Sequence, residues 1–168
     1  MKIKLHKKSS LAELVRPQHK GDAGYDIIAT SEPIIKGDIY QGDFYKSVLY
    51  IEYETDLILE PDENLFSFVF PRSSISKYNL HLCNSVGVID SGYRDTIKVR
   101  FNYIPQPENY YVMESKNFLL AIDKSKIYKK GDKIAQLIFS KHIHPEIIDS
   151  QSISDSTRGL GSFGSTGI

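Results

Sequence analysis

Short apolar stretches broken by turn residues run along this chain, and apolar residues almost never recur at a helical spacing. That pattern constrains the fold more than any other feature. A chain with period-two alternation and frequent turns must build sheets, and with so little helix to cover them the sheets must cover each other. Lys2 to His6 alternates as a first strand, and Thr96 to Phe101 reads T-I-K-V-R-F, with Ile97, Val99 and Phe101 on one face. Leu65 to Phe70 reads as a buried strand and Lys133 to Phe139 as a final core strand carrying Gln136. Pro33 to Leu59 reads as three or so strands, with turns at Gly37-Asp38 and Gly42-Asp43. The expectation is an all-β barrel or jelly roll. Leu11 to Val15 could form one helical turn stopped by Pro17, and Pro71 to Lys77 is the one clear helical turn, with Ser73 or Ser74 as N-cap.

A length of 168 residues suits one domain with its own core. No internal repeat or linker divides it, so 1–150 reads as the domain and 151–168 as a Gly-rich tail. Lys+Arg and Asp+Glu are both 21, so no net charge draws the chain toward nucleic acid or a membrane surface. Any polyanion it binds must be small and met by a few placed groups. Cys83 is the single cysteine, which excludes an internal disulfide and fits a reducing compartment. No apolar run has the length of a signal peptide core or a membrane span. The expected location is the cytoplasm, with the nucleus left open.

Three stretches carry candidate chemistry. In Gly87-Val88-Ile89-Asp90-Ser91-Gly92-Tyr93-Arg94-Asp95 an apolar run ends in a carboxylate and a turn signal, followed by the strand from Thr96. This reads as a β-hairpin with Asp90 at its end, facing a cleft or merely tying the turn. Pro71-Arg72-Ser73-Ser74 offers a helix start, an Arg and two hydroxyls, a combination that suits an anion. The tail from Arg158 to Gly167 matches G-x-G-x-x-G, but no strand-to-helix unit follows, so a dinucleotide fold is excluded. Its glycines still let backbone N–H groups approach phosphates, Ser165 and Thr166 add hydroxyls, and Phe163 could stack on a base; the alternative is a disordered tail. The aromatic residues Tyr40, Phe44, Tyr45, Tyr50 and Tyr53 read as a packed strand face rather than a binding platform.

Five motifs in order resemble the trimeric deoxyuridine triphosphate nucleotidohydrolases, the dUTPases: A-G-Y-D-I from Ala23, P-R-S-S-I-S-K from Pro71, G-V-I-D-S-G-Y-R from Gly87, G-D-K-I-A-Q-L-I from Gly131 and R-G-L-G-S-F-G-S-T-G from Arg158. The resemblance implies a distorted jelly roll with one short helix, assembled as a homotrimer whose C-terminal arms are exchanged over shared active sites. It implies hydrolysis of dUTP to dUMP and pyrophosphate with Mg²⁺. Carried over by position, Asp90 is the general base, and Gly87, Val88 and Ile89 hold uracil by backbone groups with Asn84 nearby. Tyr93 packs under the deoxyribose. Arg72, Ser73 and the Ser74 backbone hold phosphates, and Gln136 contacts the α-phosphate region or the attacking water. Asp26 acts on the metal through water. Arg158, Gly164, Ser165 and Thr166 close on the γ-phosphate end while Phe163 stacks on uracil.

The sequence departs from the family pattern in four places. Asp95 and Ser74 stand where the family usually has Gly, and the segments 36–53 and 102–125 look longer than the family's common core. The extra segments read as surface hairpins or interface additions. A deoxycytidine triphosphate deaminase shares the fold, but nothing here resembles its catalytic glutamate motif. A phage-type regulatory member would use the extra segments for a protein partner, which no residue pattern specifically indicates.

Overall fold

The computed structural model describes residues 1–113, 118–157 and 159. Its strands are β1 (Ile3–Lys7), β2 (Leu14–Val15), β3 (Tyr25–Ile28), β4 (Ile34–Gln41), β5 (Phe44–Glu54), β6 (Leu57–Pro61), β7 (Leu65–Pro71), β8 (Leu80–Leu82), β9 (Gly87–Ile89), β10 (Lys98–Tyr103), β11 (Tyr110–Val112), β12 (Phe118–Ala121) and β13 (Lys133–Lys141). They form a two-stranded sheet β1-β6, a sheet in the order β11-β12-β5-β10-β8 with β4 on the other edge of β5, and a sheet in the order β2-β3-β13-β7-β9. All pairings are antiparallel.

The alternation read from the sequence becomes burial. Along β10, Val99, Phe101 and Tyr103 are buried while Lys98, Arg100 and Asn102 face out. Inner-face residues of the two larger sheets meet in one core that includes Ile27, Ile51, Tyr53, Leu57, Phe101, Tyr128, Ile134 and Leu137. Each fully buried side chain of that size contributes about 1.5–3 kcal/mol over exposure. Two buried hydroxyls are tied in: the Tyr53 hydroxyl donates to Tyr128 O at 2.9 Å, and the Thr55 hydroxyl donates to Ile97 O at 2.6 Å. Past β13, residues 142–157 carry no strand or helix.

Several local expectations change. Leu11–Val15 is not a helical turn, because Leu14 and Val15 pair with Ile27 and Asp26 as a short strand. Gly37-Asp38 is not a turn. It lies inside β4, where the register shifts, and a glycine within a strand commonly marks such a bulge. Gly42, at φ +57°, does turn the chain between β4 and β5. The expected hairpin at Asp90 is not a ladder between its own two strands. β9 pairs with β7, and β10 pairs with β5 and β8 in the other sheet. Alternation tells which face of a strand is buried, not which strand it bonds, so the Asp90 turn bridges two sheets. The helical turn is a five-residue 3-10 helix, Ser73–Lys77, whose N-cap is Arg72 rather than a serine. Two more 3-10 turns, Pro107–Asn109 and Lys124–Lys126, stand among the described residues.

Candidate active site

The bridge between sheets opens a cleft of about 510 Å³, lined among others by Asn84, Gly87, Val88, Ile89, Asp90 and Tyr93. Local backbone shape explains this convergence. Ser85 adopts φ +56°, and the tight turn around it sets Asn84 beside Gly87. A Cβ on Gly87 would come within 3.1 Å of both the Asn84 amide nitrogen and Val69 Cβ, so glycine is what lets Asn84 approach. Asp90 is exposed at the cleft rim. Its backbone carbonyl accepts from Tyr93 N–H at 3.1 Å. The Arg94 guanidinium braces the same loop by donating to the Ser91 and Tyr93 carbonyls. The turn is therefore held by backbone and by Arg94, and the Asp90 carboxylate accepts no hydrogen bond among the described residues. A second hollow, about 580 Å³, shares Val88 and Asp90 and is flanked by His142 and His144.

Tyr93 is pinned at both ends, since its hydroxyl also donates to Thr96 O at 3.0 Å. Burial of the ring pushes its phenol up, with the Asp95 charge adding to the shift. Asp95 turns into its own loop. Its Oδ1 accepts from Thr96 N at 2.7 Å and from Thr96 Oγ1 at 3.3 Å, and these bonds hold its carboxyl below the usual range. The cleft also has wall residues that the sequence reading missed: Cys83, Lys98 and Arg100. The cations are already paired, Lys98 with Glu54 at 3.0 Å and Arg100 with Glu52 at 2.6 Å. Their outward position on β10 was the available signal.

A second cluster forms on the β3-β13-β7 sheet. The register sets Gln136 opposite Asp26 on one side and Phe70 on the other, so the end of β7 delivers Pro71 and Arg72 to the same place. Arg72 grips Asp26 with two N–H groups, Nε to Oδ1 at 2.7 Å and Nη2 to Oδ2 at 3.3 Å. Lys133 Nζ lies 3.1 Å from the same Oδ2. Lys133 was not singled out in the sequence, although it lies in the motif that supplies Gln136. Arg72 Nη1 donates to Ser74 Oγ at 3.3 Å and to Lys133 O at 3.4 Å. The Gln136 amide donates to Pro71 O at 3.1 Å. Ser73 is exposed at the head of the 3-10 turn. Two cations, two serines and an amide around one carboxylate make a surface suited to phosphate oxygens. None of Asp26, Arg72, Ser73, Ser74 or Gln136 lines the cleft beside Asp90. Arg158, Phe163, Gly164, Ser165 and Thr166 lie outside the described residues.

A protein-family model described as dUTPase matches residues 11–105 and 118–167. Segment 36–53 falls inside that match, and the gap, 106–117, falls within the second long segment. The chain is 33% identical over 170 residues to a deoxyuridine 5'-triphosphate nucleotidohydrolase of Desulfitobacterium hafniense, covering 100% of this chain and 96% of that protein. Its fold is similar to the Staphylococcus bacteriophage 80alpha dUTPase solved with dUPNHPP, at a TM-score of 0.70 and 25% identity over 99% of both chains. It also resembles a D95N mutant dUTPase of phage phi11 of S. aureus, described as coordinating a structural Mg(II) ion, at a TM-score of 0.62 and 23% identity over 90% of this chain and 98% of that one.

Proposed function

This chain belongs to the dUTPase family, and we propose that it hydrolyses dUTP to dUMP and pyrophosphate by attack of an Asp90-activated water on the α-phosphate. The observation that carries the reading is the cleft that gathers Asn84, Gly87–Ile89 and Tyr93 around an unengaged Asp90 carboxylate. Backbone groups of Gly87–Ile89 and the Asn84 amide suit a uracil edge. The Tyr93 ring, fixed at both ends, leaves no room for a 2′-hydroxyl. Asp90 takes the proton of the attacking water, a step worth roughly 10²–10⁴-fold. On the other cluster Arg72, Ser73, Ser74 and the Gln136 amide receive the phosphates and the charge that develops there.

The residues fit a magnesium ion held mainly by substrate. No group of three or more His, Cys, Asp or Glu side chains that could cage a metal exists among the described residues. Mg²⁺ keeps several waters and uses phosphate oxygens readily, so Asp26 alone can serve it through water. When bound, the ion would neutralise phosphate charge and let water approach.

Among the described residues the base cleft and the phosphate cluster do not merge, which supports a site completed between subunits. Beyond β13, Ile143, Ile147, Ile148 and Ile153 are all at least 75% exposed, and apolar groups in such an irregular segment call for cover. A homotrimer in which the arm from residue 151 crosses to a neighbour supplies both the cover and the missing half of the site. In this arrangement Arg158, Gly164, Ser165 and Thr166 close on the phosphates and Phe163 stacks on uracil. No described helix is long and apolar enough to cross a membrane, and the exposed Cys83 thiol suits the cytoplasm.

The test is pyrophosphate release from dUTP, UTP, dCTP and dTTP under identical conditions. dUTP should be turned over far faster than the other three. Efficient release of ammonia from dCTP would move the chain to the deaminase branch. Comparable kcat/KM for UTP would remove Tyr93 from sugar selection.

A further inference from the structure

Asp90 to Tyr93 is a β-turn closed by Tyr93 N–H, which donates to Asp90 O at 3.1 Å. Ser91 and Gly92 are its central residues. Neither is among the residues with positive φ, so the turn is of type I rather than type II. The two residues do not make that choice themselves. Glycine takes positive φ about as readily as negative, and type II needs positive φ at that position. A Cβ on Gly92 would meet nothing within 4 Å, so no crowding at residue 92 holds the backbone in place.

The two turn types differ by a flip of the one peptide that joins Ser91 to Gly92. Arg94 holds that peptide. Its Nη1 donates to Ser91 O and, at 3.0 Å, to Tyr93 O. The same nitrogen lies 3.5 Å from Leu59 O, on the edge of β6 that its pairing with β1 leaves open. Two residues along that edge, Leu57 O accepts from Ile97 N–H at 2.9 Å. The chain just past the turn is thus anchored on β6, and Arg94 reaches back from the anchor to grip the turn. A flip to type II would carry Ser91 O away from the guanidinium. It would also exchange donor for acceptor on both sides of the turn, because the C=O and N–H of a planar peptide point in opposite directions. Ser91 and Asp90 line the same hollow, so that exchange falls beside the carboxylate. Asp90 accepts no side-chain hydrogen bond among the described residues, and the turn backbone alone aims it.

We propose that Arg94 is a positioning residue: it selects the type I form of the Asp90–Tyr93 turn and so aims the Asp90 carboxylate at the attacking water. This deepens the dUTPase reading and rests on it. Arg94 touches neither the water nor the nucleotide in this role. It acts through one peptide plane, and the glycine beside that plane is what makes the action necessary.

The experiment is a double-mutant cycle of Arg94→Ala and Gly92→Ala, read by kcat and KM for dUTP and by the crystal structure of each variant. Arg94→Ala should lower kcat by roughly three- to ten-fold, the loss expected when about a tenth to a third of the turns keep the competent form. KM should stay near wild type, because Gly87–Ile89 is held by its pairing with β7. Gly92→Ala alone should leave kcat unchanged, since alanine fits the backbone there and meets no neighbour. In the double variant alanine disfavours positive φ, so kcat should return to within about two-fold of wild type. A methyl at residue 92 could not restore a loss that came from the missing charge or from general loosening. The proposal is overturned if Arg94→Ala keeps full kcat, if Gly92→Ala restores none of the loss, or if the Arg94→Ala crystal shows Gly92 only at negative φ. Should Arg94→Ala not fold, Arg94→Met, which keeps the stem and drops the donors, takes its place under the same criteria. A wild-type chain that does not turn over dUTP would sink the functional reading instead, and the Gly92 φ in the variant crystal would still decide this one.

Discussion

Gly24→Ala should disable the enzyme without destabilising it. Gly24 precedes β3 and faces Gln136 across the sheet. A Cβ at residue 24 would stand 2.2 Å from Gln136 Oε1 and 3.1 Å from its Cδ, so both atoms must move. Gln136 Cβ would lie 3.5 Å away, an ordinary contact. Gly24 is not among the residues with positive φ, so alanine fits the backbone there. The added methyl therefore evicts the end of one side chain and disturbs little else. Gln136 loses its bond to Pro71 O, at a cost of about 1 kcal/mol. Against this, alanine restricts the unfolded chain and returns about 0.4–1 kcal/mol. The two nearly cancel, and Tm should move by no more than ~2 °C.

Activity should respond very differently. If Gln136 serves the phosphate or the water as proposed, swinging its amide out of the cluster should lower kcat on the order of 10²-fold, as for one donor lost at a developing anion. The decisive assay compares Gly24→Ala in the wild-type and Gln136→Ala backgrounds. With only a methyl at 136 the new Cβ meets nothing tight, so the second comparison should show no further loss. Wild-type kcat in Gly24→Ala, an equal loss in both backgrounds, or a Tm drop near 10 °C (about 3 kcal/mol) would each refute the reasoning.

Asp90→Asn should lower kcat by roughly 10²–10⁴-fold while leaving Tm and binding of a non-hydrolysable dUTP analogue unchanged; an active variant contradicts the base assignment. Asp26→Asn should cost stability, because it presents an N–H to the Arg72 guanidinium and removes the charge shared with Lys133. With these side chains only 20% and 30% exposed at Asp26 and Arg72, a discounted loss of about 1–2 kcal/mol, or ~2–8 °C in Tm, is expected by calorimetry, and an unchanged Tm would show the ion trio to be idle. Burial raises the Tyr53 and Tyr128 phenols, so the folded chain holds their protons above pH ~10, where unfolded tyrosines release them. Their stabilisation is full below that pH and lost as pH rises above it, for Tyr128 through about 12, and tyrosinate absorbance should show a late step that coincides with unfolding. Ionisation of every tyrosine near pH 10 in a folded chain would contradict it.

The fold was legible because alternation survives in a single sequence. The T-I-K-V-R-F stretch announced which β10 side chains are buried, and the structure buries Val99 and Phe101 as read. Pairing was not legible. Nothing in residues 86–101 says that β9 bonds β7 while β10 bonds β5 and β8, since partner choice depends on which other strands need an edge. The same limit governs the site. Asn84, Gly87–Asp90 and Tyr93 lie close in sequence and also meet in space, so the cleft could be read from one stretch. The cluster proposed for phosphate is drawn from residues 26, 72, 74, 133 and 136, and only the register of β13 against β3 and β7 brings them together. Lys133 was invisible for that reason: at the head of a core strand, nothing in the sequence says that its ammonium will meet Asp26.

Asp26 shows how far that assembly changes the meaning of a residue. In sequence it is a carboxylate in a polar, glycine-containing loop that feeds a strand, and a metal-side role is what the family resemblance implies for it. In the fold Arg72 and Lys133 already occupy it, with two guanidinium bonds and an ammonium at 3.1 Å. A carboxylate so engaged fixes the direction in which Arg72 presents its remaining N–H groups, and leaves little capacity for a bare cation. Water-mediated contact with a phosphate-held ion remains compatible with that geometry, whereas direct ligation would have to break the grip on Arg72 at the moment when Arg72 is needed. Under the proposed function this arrangement would favour one order of assembly: Asp26 and Lys133 fix Arg72 beforehand, the phosphates would meet an oriented guanidinium, and a Mg²⁺ ion held by water and phosphate would come with the substrate.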